Sequence, residues 1–346
     1  MTGSTTKAAG GYPENPVLVR VWRGDHVESQ HRGAWVLVDP DGEVLAGEGQ
    51  FERPFFVRSS IKAVQALPLL ESGAAERFQF TDLELALALS SHNAEAMHTD
   101  CVAGLLARLD LGVGDLRCGA QSPLDPRARA ALQAAGESAT ALHNNCSGKH
   151  AGFLALARHL ATETSHYLDP QGEVQKHVRR ALAEMSDLQA GDLQFAIDGC
   201  SAPTYLLPLR ALATLFARVS NPAALAPERR AACERMLAAV AANPDAIAGR
   251  HKRLCTALVR AGRGRLFPKI GAEGVYGIGI AGADCALAIK LDDGGLRGLH
   301  AVVLHLLERF GHLDGAQLEE LAGWRPGVLS NWAGLAVGRV EVIDHE

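Results

Sequence analysis

Apolar positions alternate near both ends of the chain and take helical spacing in between. "VLVRVWRG" (17–24) and "GAWVLVDPDGEVLAGEG" (33–49) are β-branched apolar runs separated by polar turns, and "DPDG" predicts a hairpin. From Lys62 to about Gly264 the apolar positions recur at i, i+3 and i+4. They do so in "IKAVQALPLLES", "TDLELALALSSHNAEAMHTDCVAGLLARL", "CSGKHAGFLALARHLAT", "VQKHVRRALAEM", "APTYLLPLRALATLFARV" and "APERRAACERMLAAVAAN", a large predicted helical block. Strands return in "RLFPKIGAEGVYGIGIAG" and in "CALAIKLDDGG", whose "DDGG" predicts a second hairpin turn. A helix, "LRGLHAVVLHLLERFG", and a tail ending in "GRVEVIDH" follow. Strands at both ends around helices imply an α/β (α+β) architecture. One mixed antiparallel sheet, drawn from about 17–57 and 265–346, packs against a helical portion of about 58–264, in a single catalytic unit over 1–346.

Composition narrows the function classes. Of 346 residues, 47% are hydrophobic and 21% charged, as in an ordinary globular protein, and a net charge of -5 offers no basic surface to a phosphate backbone. Nucleic acid is therefore not an expected partner. No apolar run reaches the length of a membrane span, and the Gly/Pro-rich N-terminus lacks a secretory apolar stretch, so no membrane association and a cytoplasmic location are expected. Seven cysteines, an odd number without regular spacing, read as free thiols or metal ligands.

Three short motifs carry the chemistry. Ser59 and Lys62 stand three apart at a predicted helix start, where they share a face. A serine there is equally a helix N-cap. Ser91-x-Asn93 follows on a connection, and Lys269-x-Gly271 opens the returning strands. Their order and element types are those of the serine β-lactamase and penicillin-binding fold. A serine hydroxyl needs an adjacent base, and a lysine serves when burial or a second cation lowers its pKa, which two facing Ser/Lys pairs would supply. The N–H of Ser59 and one beyond Lys269, near Gly271 or Ala272, could form an oxyanion hole. The predicted reaction is acyl transfer.

"HNNCSGKH" (143–150) and "DGCSAPT" (198–204) each place a cysteine among small polar residues before a predicted helix. Cys146 and Cys200 would make half of a tetrahedral metal site; His143 and His150 are candidates to complete it, and a pair of buried thiols is the alternative. Cys101, Cys233 and Cys285 read as packing residues, with Cys118 and Cys255 open.

Taken together, "FFVRSSIKAVQALPLLESGAAE", "LALSSHNAEAMH", "HNNCSGKHAGFLALA", "DGCSAPTYLLPL" and "LFPKIGAEGVYGIGI" resemble the Rhizobium etli type L-asparaginases, the third structural class of asparaginases, from about Leu18 to Val340. The resemblance implies a fold shared with serine β-lactamases and serine-dependent glutaminases. It implies two Ser-Lys tandems, Ser59 with Lys62 and Ser91 with Lys269. It further implies a zinc ion held by Cys146, Lys149 and Cys200 with Asp198 behind them, supporting substrate binding more than water activation. On this reading His143 and His150 are neighbours of the metal. L-asparagine is the implied substrate and a homodimer the implied assembly. Arg58, Asn93 and Glu273 are polar candidates for its α-amino and α-carboxylate groups, each equally readable as a cap or turn residue. The middle motif has His92 where β-lactamases carry aspartate, which suits a small amide better than a β-lactam. A glutaminase or other hydrolase of this fold, and a non-catalytic amino-acid or metal-binding protein, are the rival readings.

Overall fold

The computed structural model describes residues 14–344; most of the Gly/Pro-rich opening and the last two residues lie outside them. Eleven strands occur among the described residues: β1 (Val17–Arg23), β2 (His26–Val38), β3 (Val44–Glu48), β4 (Pro54–Phe56), β5 (Phe195–Ile197), β6 (Pro203–Pro208), β7 (Leu266–Gly271), β8 (Val275–Ile280), β9 (Cys285–Leu291), β10 (Val328–Ser330) and β11 (Ala336–Val342). Eight form one antiparallel sheet in the order β10-β11-β1-β2-β9-β8-β7, with β3 paired to β2. The two ends of the chain meet inside it, since Val19 of β1 pairs with Val342 of β11 and β2 joins β9 through Val36 and Ala288. The mixed α/β architecture with a sheet from both termini is therefore the observed one.

β8 is buried along its whole length. The helix Leu209–Ser220 lies directly on it, an approach open only to glycine: a Cβ at Gly277 would sit 2.1 Å from the Phe216 ring. β7 is the sheet's outer strand, where Pro268 costs no ladder bond.

Two expectations change. "PTYLLP" is strand β6, in a small antiparallel sheet ordered β4-β6-β5, and only from Leu209 does the helix begin. Proline at each end of that stretch, with Thr204 and Tyr205 inside, favours an extended chain, and Phe56 and Phe195 on the flanking strands pair across it with Leu206 and Tyr205. The helical portion of 58–264 thus contains β5 and β6. "DDGG" is not a hairpin turn; it leads from β9 into the helix Leu296–Arg309, and the hairpins of this region are β7–β8, turning through 272–274, and β8–β9, turning through 281–284. The "DPDG" hairpin joins β2 to β3 as expected.

Candidate active site

After β4 the chain turns sharply. Val57 N–H is anchored on Tyr205 O at 3.0 Å, Arg58 takes a left-handed φ of 53°, and a 3-10 turn, Arg58–Ile61, runs into the helix Lys62–Glu71. The caps are Val57 and Ile61, neither through its side chain, so Ser59 does not cap. Ser60 is buried and spends its hydroxyl on Val57 O at 2.6 Å. Ser59 is left half-buried, its hydroxyl bonded to nothing among the described residues.

Ser91 lies on the buried link between the helices Asp82–Ala88 and Ala96–Arg108. Separate segments fix this link: Ser91 N–H donates to Ile247 O at 3.1 Å and His92 N–H to Asn145 O at 3.2 Å. The His92 ring accepts Ala94 N–H on Nδ1, leaving Nε2–H to donate to Ser147 Oγ at 2.9 Å. Burial, with His98 stacked against it, keeps this imidazole neutral.

The Ser91 hydroxyl lies between two amines, 3.1 Å from Lys62 Nζ and 2.7 Å from Lys269 Nζ. Both lysines are almost wholly buried, at 0% and 1% exposure. Lys62 Nζ also donates to Ser90 O and, at 3.5 Å, to Asn145 O. Both amines donate to Ser91 Oγ, and Lys269 Nζ also donates to Ile270 O at 3.0 Å. Burial pushes the Lys62 amine down, and burial with the neighbouring Lys62 charge pushes Lys269 down further. The observed pattern thus differs from two separate tandems: Ser91 bonds both lysines and Ser59 bonds neither.

Ser59 stands where two cavities meet. The larger, about 840 Å³, is bounded by Ser59, Ser91, Asn93, Asn145, Arg253 and Gly271 among others; the smaller, about 490 Å³, by Ser59, Arg58, Asn145, Cys146, Asp198 and Cys200. Ala272 faces both. The backbone N–H groups of Ser59 and Ala272 have no acceptor among the described residues, and Gly271 passes so close that a Cβ there would lie 2.8 Å from Val57 O. Arg58 is engaged by Asp198, at 2.9 Å through Nε and 2.7 Å through Nη2. Asn93 accepts Arg253 Nη1 at 2.5 Å, and exposed Glu273 lines neither cavity. Sequence reasoning missed Arg253, Asn145 and Tyr276, whose hydroxyl meets Cys255 Sγ at 3.1 Å.

Cys146 and Lys149 at the start of the helix Ser147–His159 meet Cys200 from the β5–β6 turn, with Lys149 Nζ 3.1 Å from Cys200 Sγ. A hydrogen bond with Cys200, together with the nearby Lys62 and Lys149 charges, draws the Cys146 thiol well below its usual range despite burial, and the same bond raises Cys200. Burial opposes the Lys149 charge, but the two sulfurs outweigh it and hold the amine up. Among the described residues no three His, Cys, Asp or Glu side chains converge for a metal, and the amine bonded to Cys200 Sγ is that of Lys149. His143 bonds Thr140 and His150 bonds Tyr167 instead.

A serine hydroxyl between two lowered amines, beside an open serine and unpaired backbone N–H groups, on this α/β frame, marks an amidohydrolase. The chain belongs to the L-asparaginase II family, which matches residues 19–342 and makes it an asparaginase-type enzyme acting on a small-molecule amide. Among solved structures it is similar to a β-lactamase from Mycobacterium bovis, at 15% identity over 80% of this chain and 94% of that one, with a TM-score of 0.41. It is also similar to native Mglu in 4.3 M NaCl, at 12% identity over 83% of this chain and a TM-score of 0.43; there it spans 63% of the other chain, less than two thirds. No curated protein matches the sequence. No helix among the described residues is long and apolar enough to cross a membrane.

Proposed function

We propose that this chain hydrolyses L-asparagine to L-aspartate and ammonia through an acyl-enzyme on Ser59. The observation that carries the reading is the Ser91 hydroxyl held between Lys62 and Lys269 beside the unbonded hydroxyl of Ser59. Ser59 Oγ attacks the side-chain amide carbon and its proton passes to Lys62, whose lowered pKa suits a base. The N–H groups of Ser59 and Ala272 hold the developing oxyanion. Ser91, hydrogen-bonded to both amines, relays a proton towards the leaving ammonia, and water then frees aspartate from the ester.

Cys146, Cys200 and Lys149 have the donor set to hold zinc. When bound, the ion supplies a fixed positive charge on the wall of the smaller cavity, which favours a polar substrate group there.

Mass spectrometry of enzyme quenched rapidly with asparagine tests the assignment. The acyl adduct is expected on the peptide containing Ser59; an adduct confined to Ser91, or a loss below about tenfold in Ser59→Ala, overturns it. Ammonia release from asparagine and glutamine, compared in the same assay, tests the substrate.

A further inference from the structure

Four consecutive basic residues, Arg250, His251, Lys252 and Arg253, line the larger cavity. Arg250, His251 and Lys252 are exposed, whereas Arg253 is half-buried. Arg250 lies near Glu95 and Asp245, at 3.9 and 3.6 Å. Arg253 forms no ion pair with any described carboxylate, yet its position is fixed: Nη1 donates to Asn93 Oδ1 at 2.5 Å and Nη2 to the backbone carbonyl of Ser91 at 2.8 Å. A guanidinium has five N–H donors, so three are uncommitted by these bonds, on the wall of a cavity that also holds Ser59 and Ser91. A partly buried guanidinium with free N–H groups and no carboxylate beside it is open to an anionic ligand group. Of the other arginines on the two cavities, Arg58 is taken by Asp198 and Arg250 lies by Glu95 and Asp245, while exposed Arg127 meets the His251 ring at 3.1 Å.

We propose that Arg253 is the specificity-determining residue of this site, receiving the α-carboxylate of the substrate on its free N–H groups. The inference rests on the amidohydrolase site described above and on L-asparagine as its substrate. It names the substrate class more narrowly: amides that carry a free carboxylate on the carbon next to the side-chain methylene. Because the same guanidinium grips the Ser91 carbonyl, the anchored carboxylate is held in fixed relation to the serine between the lysines. A planar fork suits this task, since it can bond both carboxylate oxygens while keeping its hold on Asn93.

The test compares L-asparagine with 3-aminopropanamide, which is asparagine without its α-carboxylate, in the full-length wild type, Arg253→Gln and Arg253→Lys. Arg253→Gln is expected to lower kcat/KM on asparagine by about 100-fold, as loss of one partner of a buried charge pair does, and on the analogue by less than about threefold. Arg253→Lys is expected to recover part of the asparagine activity. Equal losses on both substrates overturn the proposal, because they would show a structural role through Asn93 and Ser91 alone. A second readout needs no turnover. L-aspartate should raise the wild-type Tm more than β-alanine, its counterpart lacking the α-carboxylate, and Arg253→Gln should erase that difference. If the wild type releases no ammonia from asparagine but shows this difference, the asparaginase reading fails and the carboxylate site stands. If the wild type shows no difference, the carboxylate site fails whatever the turnover.

Discussion

At Ser91 the chemistry depends on two amines that cannot both hold a proton cheaply. Lys269 lies well below the ordinary 10.5, first because it is buried and next because Lys62 faces it across one hydroxyl. The sign follows: the neutral amine is the working form, and acid adds a charge to a dry site. Activity should therefore fall as acid protonates the Lys62–Lys269 pair, so the acid limb of kcat/KM belongs below the ordinary 10.5 of a lysine. Stability should move the same way, because below 10.5 the unfolded lysine binds a proton that the buried one resists. An acid limb at the pKa of a free lysine would remove the base from the mechanism. Lys269→Arg sharpens the point: a guanidinium does not give up its proton, and the expected loss is about 1,000-fold in kcat. The order Ser59, Lys62, Ser91, Lys269 was legible in the sequence because each motif sits on a recognisable element. Which serine each lysine touches was not, since the 3-10 turn at Arg58–Ile61 and the tertiary bonds of the 90–95 link set it. Arg253 was hidden for another reason: inside "GRHKR" it reads as one more solvated charge, and its contact with Ser91 spans 162 positions.

Among the elements, the helix Ser147–His159 decides where the site lies. It approaches the end of the helix Asp82–Ala88 so closely that a Cβ on Gly148 would stand 2.3 Å from Leu87 O, a backbone atom that cannot rotate away. That contact brings Cys146 and Lys149 up to the link bearing Ser90 and Ser91. Gly148→Ala should lower unfolding stability by about 1–3 kcal/mol in urea, as overpacking does, and reduce activity by displacing the link. Gly152, one turn on, meets Ala88 and Leu69 at 3.5 Å, ordinary contact. Gly152→Ala should stabilise by about 0.5 kcal/mol through helix propensity and leave activity near wild type; matching losses in both variants would refute the packing argument. Helical periodicity announced this helix but not its approach, which only the glycine pattern hints at. β6 was misread because Leu206, Leu207 and Leu209 continue the apolar spacing of the following helix, while Pro208 marks the break.

Over the whole molecule, the thiol cluster joins parts that the sequence keeps far apart. Cys146 and Lys149 belong to the helical block, and Cys200 to the turn of the small sheet whose strand β4 delivers Ser59. The two share the wall of the smaller cavity, so a metal held by all three side chains would staple that sheet to the block. The chemistry of binding is visible in solution: the Lys149 amine, held up by the sulfurs, and the Cys200 thiol must each release a proton. Zinc added to chelator-treated protein should therefore acidify an unbuffered solution and raise the Tm. At 100 times its Kd a ligand specific for the folded state adds about 2.7 kcal/mol. Cys200→Ser should fold without zinc, since serine fills nearly the same volume, yet lose most of the zinc-dependent rise. Should the variant keep the full rise, the metal sits elsewhere, and the cluster is a buried thiolate held by Lys149. Should the wild type show the rise while asparagine turnover stays the same with and without chelator, the ion acts as the staple and not in the reaction.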